Sequence, residues 1–158
     1  MILVIGYGNP LCGDDGIGPY VVEKLMDAQT QPRAAMECLT LRQLTPELAE
    51  TISRADTVIF VDAADDEEIP GSITCRELTP SAAPSSGAFT HHTHAAALLE
   101  SARFLYDGQP AAYLYTIVGE NFGLGDAFSS AVETALPSLL TQLKARIDLC
   151  TNLASLKQ

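Results

Sequence analysis

Five consecutive apolar residues open the chain, Met1-Ile2-Leu3-Val4-Ile5, and they admit few folds. An unbroken run of this kind predicts a strand covered on both faces, because a strand with one wet side would alternate. Gly6-Tyr7-Gly8-Asn9-Pro10 breaks it at once. Ile17, Val21, Val22, Leu25 and Met26 then recur at helical spacing. Buried strand, glycine-rich turn and amphipathic helix together make the first unit of an α/β sheet. Asp14 or Asp15 stands where that helix needs an N-cap, and Gln31-Pro32 closes the unit.

The alternation continues. Residues 36–41 read as a short strand, and Thr45-Pro46-Glu47-Leu48 opens a helix with Thr45 as N-cap and Pro46 at the first helical position. Residues 57–61 form another buried strand, ending at Asp62. After a surface turn built from the acidic stretch 65–68 and Pro70-Gly71, residues 72–78 alternate weakly and predict an edge strand. Residues 79–90, rich in Pro, Ser, Ala and Gly, are the longest irregular stretch. A helix follows over residues 91–106, stopped by Asp107-Gly108, then a strand over 113–118 and a glycine-rich loop over 119–125. The last helix covers roughly residues 127–149, with Pro137 as a kink or break. The pattern predicts an α/β three-layer sandwich with a mostly parallel, twisted sheet of about five strands flanked by helices. It forms one domain over residues 1–150, followed by a tail at 151–158.

Composition narrows the function. The 158 residues suit one domain of ordinary size. With 20 acidic and 9 basic residues the formal charge is −11, a poor match to nucleic acid or an anionic membrane. It suits a neutral or basic protein partner, or solubility alone. No apolar run approaches the roughly 18–20 residues that span a bilayer, and the N-terminus lacks the basic region of a signal peptide, so the expected location is cytoplasmic. Four cysteines, at 12, 38, 75 and 150, show no C-x-x-C spacing, which excludes a zinc knuckle or thioredoxin motif. Cys38 and Cys75 read as reduced core residues. Cys12 reads as a small loop filler, with a nucleophile or ligand as the alternative.

The loop after the first strand carries the chemistry. Gly6-x-Gly8 fits half a dinucleotide fingerprint, but Leu11 stands where the third glycine belongs, and Asp14-Asp15 would repel a pyrophosphate. A helix cap explains one aspartate; two adjacent carboxylates disfavour each other unless a cation joins them. One cap and one ligand is the consistent assignment. Asp62 closes an apolar strand and faces the crevice where parallel sheets bind ligands, the alternative being a cap on the next turn. Asp65 and Asp66 read as solvated. The three histidines all fall in Phe89-Thr90-His91-His92-Thr93-His94, where His91 and His94 share a helix face. Imidazole with carboxylates suits a divalent ion such as nickel or zinc, although the spacing is not H-E-x-x-H. No Ser-His-Asp or Cys-His arrangement is evident.

Gly6-Tyr7-Gly8-Asn9-Pro10-Leu11-Cys12-Gly13-Asp14-Asp15-Gly16-Ile17-Gly18 resembles the N-terminal signature of the [NiFe]-hydrogenase maturation endopeptidases. Phe60-Val61-Asp62-Ala63 fits that family's second acidic position and the His-bearing helix its third. The resemblance implies cleavage of a C-terminal extension from a hydrogenase large-subunit precursor after nickel insertion. It further implies that the substrate's nickel is sensed at Asp15, Asp62 and His91. The metal then arrives with the substrate, where it can polarise the scissile carbonyl or activate a water. His91 is assigned because Leu98, Leu99, Arg103 and Phe104 then match the family's helix; His92 and His94 stay open. The first position is often Glu in the family, and Asp14 becomes structural or a base. Gln43-Leu44-Thr45-Pro46-Glu47-Leu48 replaces an Asp-Gly-Gly-Thr pattern and looks like the variant serving soluble, NAD- or viologen-linked hydrogenases. The rival readings are a non-catalytic nickel-binding chaperone or scaffold for hydrogenase assembly, and a nucleotide-binding enzyme.

Overall fold

The computed structural model describes residues 1–28, 36–81 and 91–156. The side chains of residues 91–93 and 154–155 lie outside that description, as do Gln31-Pro32 and most of the 79–90 stretch. The elements run β1 (Ile2–Tyr7), α1 (Ile17–Asp27), β2 (Met36–Leu41), α2 (Leu48–Ser53), β3 (Thr57–Ala64), β4 (Ile73–Leu78), α3 (His91–Tyr106), β5 (Ala111–Val118) and α4 (Ser130–Leu156). The strands form one five-stranded sheet ordered β2-β1-β3-β5-β4. β1, β2, β3 and β5 are parallel, and β4 adds to the edge antiparallel to β5.

Strand alternation sorts the core into two layers. Ile2 and Val4 of β1 with Ile59, Val61 and Ala63 of β3 meet Val21, Val22 and Leu25 of α1 and Leu139, Leu143 and Ile147 of α4. On the other face Leu3, Ile5 and Tyr7 with Val58 and Phe60 meet Ala49 and Ile52 of α2 and Ala95, Leu98, Leu99 and Ala102 of α3. The predicted three-layer α/β sandwich is the architecture found. Among the described residues no helix is long and apolar enough to cross a membrane.

Several local expectations are corrected. Neither aspartate caps α1: a 3-10 turn, Gly13–Gly16, precedes it, and Gly16 sits at the N-cap without a side-chain cap. α2 begins at Leu48, because Thr45 and Pro46 belong to a preceding turn whose carbonyls accept from Leu48 and Ala49 at 3.1 Å. α4 is not broken at Pro137 and continues past Leu149 to Leu156. Val132, Leu139, Leu143, Ile147 and Cys150 form one buried stripe on it, and that packing outweighs the roughly 3 kcal/mol that an interior proline costs. The stop after α3 uses Asp107, at φ 56°, in the left-handed position. Cys75 is exposed on the edge strand and Cys38 only half-buried, so neither is a fully buried core residue.

Candidate active site

Strand order reverses at β1: the chain first crosses to β2 on one side, then returns to place β3 on the other. A crevice must open there beyond the carboxyl ends of the strands. A cavity of about 610 Å³ occupies it, lined by Tyr7, Asp15, Arg42, Asp62 and His94 among others.

Asp62 lies within β3, which continues to Ala64, and it registers with Thr116 of β5. A turn cap is therefore not its role. Its parity matches Val58 and Phe60, so it faces the α2/α3 side, and it is only 1% exposed. Gly6 and Val61 are the last partners between β1 and β3. Tyr7 and Asp62 follow them side by side on the same face. Burial first, then the charge of the neighbouring Asp62, push the Tyr7 phenol far above its ordinary range. The hydroxyl beside Asp62 therefore stays protonated.

The two adjacent aspartates have separate roles. Asp14 is fully buried. Its carboxylate accepts N–H bonds from Glu120 at 2.8 Å, Asn121 at 3.0 Å and Ser129 at 2.7 Å, and the Ser129 hydroxyl at 2.8 Å. Burial alone would raise this carboxyl; the hydrogen bonds outweigh it and hold the group below its ordinary value. Asp14 thus clasps the loop after β5 to the loop after β1. Asp15 is half-buried, lines the cavity, and is fixed by the Asn9 N–H on Oδ2 at 2.7 Å. The same Asn9 donates through Nδ2 to Cys12 Sγ at 3.2 Å, while Cys12 bridges Gly125. Cys12 is a loop filler and does not line the cavity.

Two glycines make this packing possible. Gly8 has φ +137°, and a Cβ there would stand 1.9 Å from the Asp15 carbonyl oxygen. At Gly18 a Cβ would stand 2.5 Å from the carbonyl oxygens of both Tyr7 and Val61, so only glycine lets α1 begin this close to β1 and β3.

α3 supplies the far wall through His94, Ala97, Leu98 and Ser101. His91 opens this helix, one turn before His94; the side chains of His91 and His92 lie outside the described residues. Asp15 and Asp62 are therefore brought to one cavity, and the third expected residue belongs to the helix that walls it. Among the described residues no group of three or more His, Cys, Asp or Glu side chains is arranged to hold a metal ion. Sequence reasoning missed Tyr7, Arg42, Thr45 and Ser101 as lining residues. Tyr7 was findable from its parity with Leu3 and Ile5; the others depend on how α3 and the β2–α2 connection pack.

No protein-family model matches this sequence, and no curated protein does. Solved structures do match. The hydrogenase maturating endopeptidase HybD from E. coli aligns with a TM-score of 0.80 at 25% identity, over 94% of this chain and 93% of that one. An endopeptidase from Escherichia coli solved in solution aligns at 0.74 and 25% identity, over 91% of this chain and 90% of that one. The [NiFe] hydrogenase maturation protease HycI from Thermococcus kodakarensis KOD1 shares the fold, at 0.63 and 22% identity, over 90% of this chain and 88% of that one.

Proposed function

We propose, from the premise that this chain's structural neighbours include hydrogenase maturation endopeptidases, that it is a processing endopeptidase. Its substrate is a [NiFe]-hydrogenase large-subunit precursor, from which it removes the C-terminal extension. The observation that carries this reading is the meeting of Asp15 and Asp62 in one cavity, while the adjacent Asp14 is turned away and fully hydrogen-bonded.

The division of labour follows from burial. Asp62 is fixed within the sheet beside a protonated Tyr7. Asp15 stands on a short loop held by Asn9. Two carboxylates in a half-sheltered cavity attract a cation more strongly than they would in open water. In this proposal the cation is nickel held by the substrate's own cysteines, read by Asp15, Asp62 and His91. Such a metal positions the scissile bond and can polarise its carbonyl or activate a water. The partner is of the soluble, NAD- or viologen-linked type, and the setting is cytoplasmic.

The test is to mix the purified chain with nickel-loaded precursor and record the substrate's mass. Loss of a C-terminal fragment is expected. A precursor that is bound but never shortened would overturn the protease reading in favour of an assembly scaffold.

A further inference from the structure

Arg42 follows the last residue of β2. Leu41 pairs with Tyr7, and its carbonyl accepts the Gly8 N–H at 2.9 Å, so Arg42 leaves the sheet directly beside the Gly8 turn. It is exposed, yet it lines the same cavity as Asp15 and Asp62. Among the described residues it is the only Lys or Arg that lines that cavity. The chain has just 9 basic residues against 20 acidic ones. Of the other described arginines, Arg54 pairs with Glu50, Arg103 with Glu100, and Arg146 stacks over Tyr113, while Arg76 is exposed on the edge strand β4 and does not line the cavity. Arg42 has no carboxylate partner among the described residues. Beside it, Gln43 and Thr45 also line the cavity and offer an amide and a hydroxyl.

The cavity is therefore polarised, with carboxylates in its floor and a guanidinium fork with neutral donors on the β2–α2 wall. A ligand that satisfies both ends must carry positive charge at one point and a planar anion at another. Guanidinium binds carboxylates with two parallel N–H bonds, which fixes direction as well as position.

We propose that Arg42 is a specificity residue that docks a carboxylate of the substrate peptide, either an acidic side chain near the scissile bond or the free carboxyl terminus of the extension. The identity of the substrate rests on the processing function proposed above; the carboxylate contact rests on the cavity itself.

The test uses a fluorescently labelled, nickel-free synthetic peptide spanning the end of the partner precursor, with its binding followed by anisotropy. R42Q is expected to weaken binding at least about tenfold and R42E further, while R42K retains part of the affinity as a charge without the fork. Melting temperatures should not move, because Arg42 is exposed. Amidating the peptide's C-terminus, or replacing its acidic side chains by their amides, identifies the source: the modification that abolishes sensitivity to R42Q removes the docked group. Binding by R42Q within about twofold of wild type overturns the proposal, as does an R42Q effect that survives both modifications together. In precursor cleavage R42Q should raise KM and leave kcat unchanged. If wild type binds the peptide through Arg42 but cleaves no precursor, only the processing function falls. If cleavage proceeds with R42Q kinetics unchanged, only the docking role falls.

Discussion

Ser129 binds Asp14 twice, its N–H donating to Oδ1 at 2.7 Å and its hydroxyl to Oδ2 at 2.8 Å. The two residues are 115 positions apart, so this clasp ties the first loop of the chain to the approach of its last helix. It also accounts for why the half-buried Asp15, and not Asp14, is the aspartate left to line the cavity.

Replacing Asp14 by Ala leaves several buried N–H donors without an acceptor and is expected to cost about 3 kcal/mol, measured by urea unfolding. The pH dependence has a definite sign. The folded carboxyl is held below its ordinary value of 3.8, so it binds a proton less readily than the unfolded chain does. Its stabilisation is present above that value and is lost as the pH falls through it. D14N should therefore show a shallower loss of stability in acid than wild type.

Gly8→Ala tests the loop geometry. The Cβ would meet the backbone oxygen of Asp15 at 1.9 Å with φ at +137°, and no side-chain rotation relieves a clash with backbone. A loss of about 3 kcal/mol or more is expected, with processing reduced beyond the fraction unfolded because Asp15 is displaced.

Tyr7 gives the opposite pH signature from Asp14. Its phenol is pushed above the ordinary 10.0 by burial and then by Asp62. The folded state keeps the proton, so this stabilisation is complete below pH 10 and is lost as the pH rises beyond it. Melting temperatures between about pH 8 and 11 should fall more steeply for wild type than for Y7F. Tyr115, also raised, is present in both proteins and cancels in the comparison.

The histidines separate by substitution. H91A is expected to lower kcat/KM for precursor cleavage by about a hundredfold or more, equivalent to roughly 3 kcal/mol, with an unchanged melting temperature. H92A should be nearly silent. Full activity in H91A would move the role to His94, which lines the cavity.

The strands and helices were largely legible because a buried parallel sheet writes itself as apolar runs, Ile2-Leu3-Val4-Ile5 and Val58-Ile59-Phe60-Val61. The meeting of Asp15 and Asp62 was legible as well, since topology sends both to one sheet edge. Asp14 was misjudged as a possible cap because its partners, Glu120, Asn121 and Ser129, are more than a hundred residues away. Local propensity cannot see them. The same blindness explains Pro137, where a stripe of packing carried the helix through a residue that normally ends one. Arg42 left no periodic signal, and only the pairing of Leu41 with Tyr7 put it beside the cavity.

The most direct measurement compares wild type with D62N on nickel-loaded and nickel-free precursor, reading the substrate by intact mass and the enzyme's fold by thermal melting. Asp62 is 1% exposed, and Asn fills the same space without the charge. Wild type should shorten only the nickel-loaded precursor, and D62N should shorten neither while melting as a folded protein. Cleavage by folded D62N at the wild-type rate, or equal cleavage with and without nickel, would contradict the account.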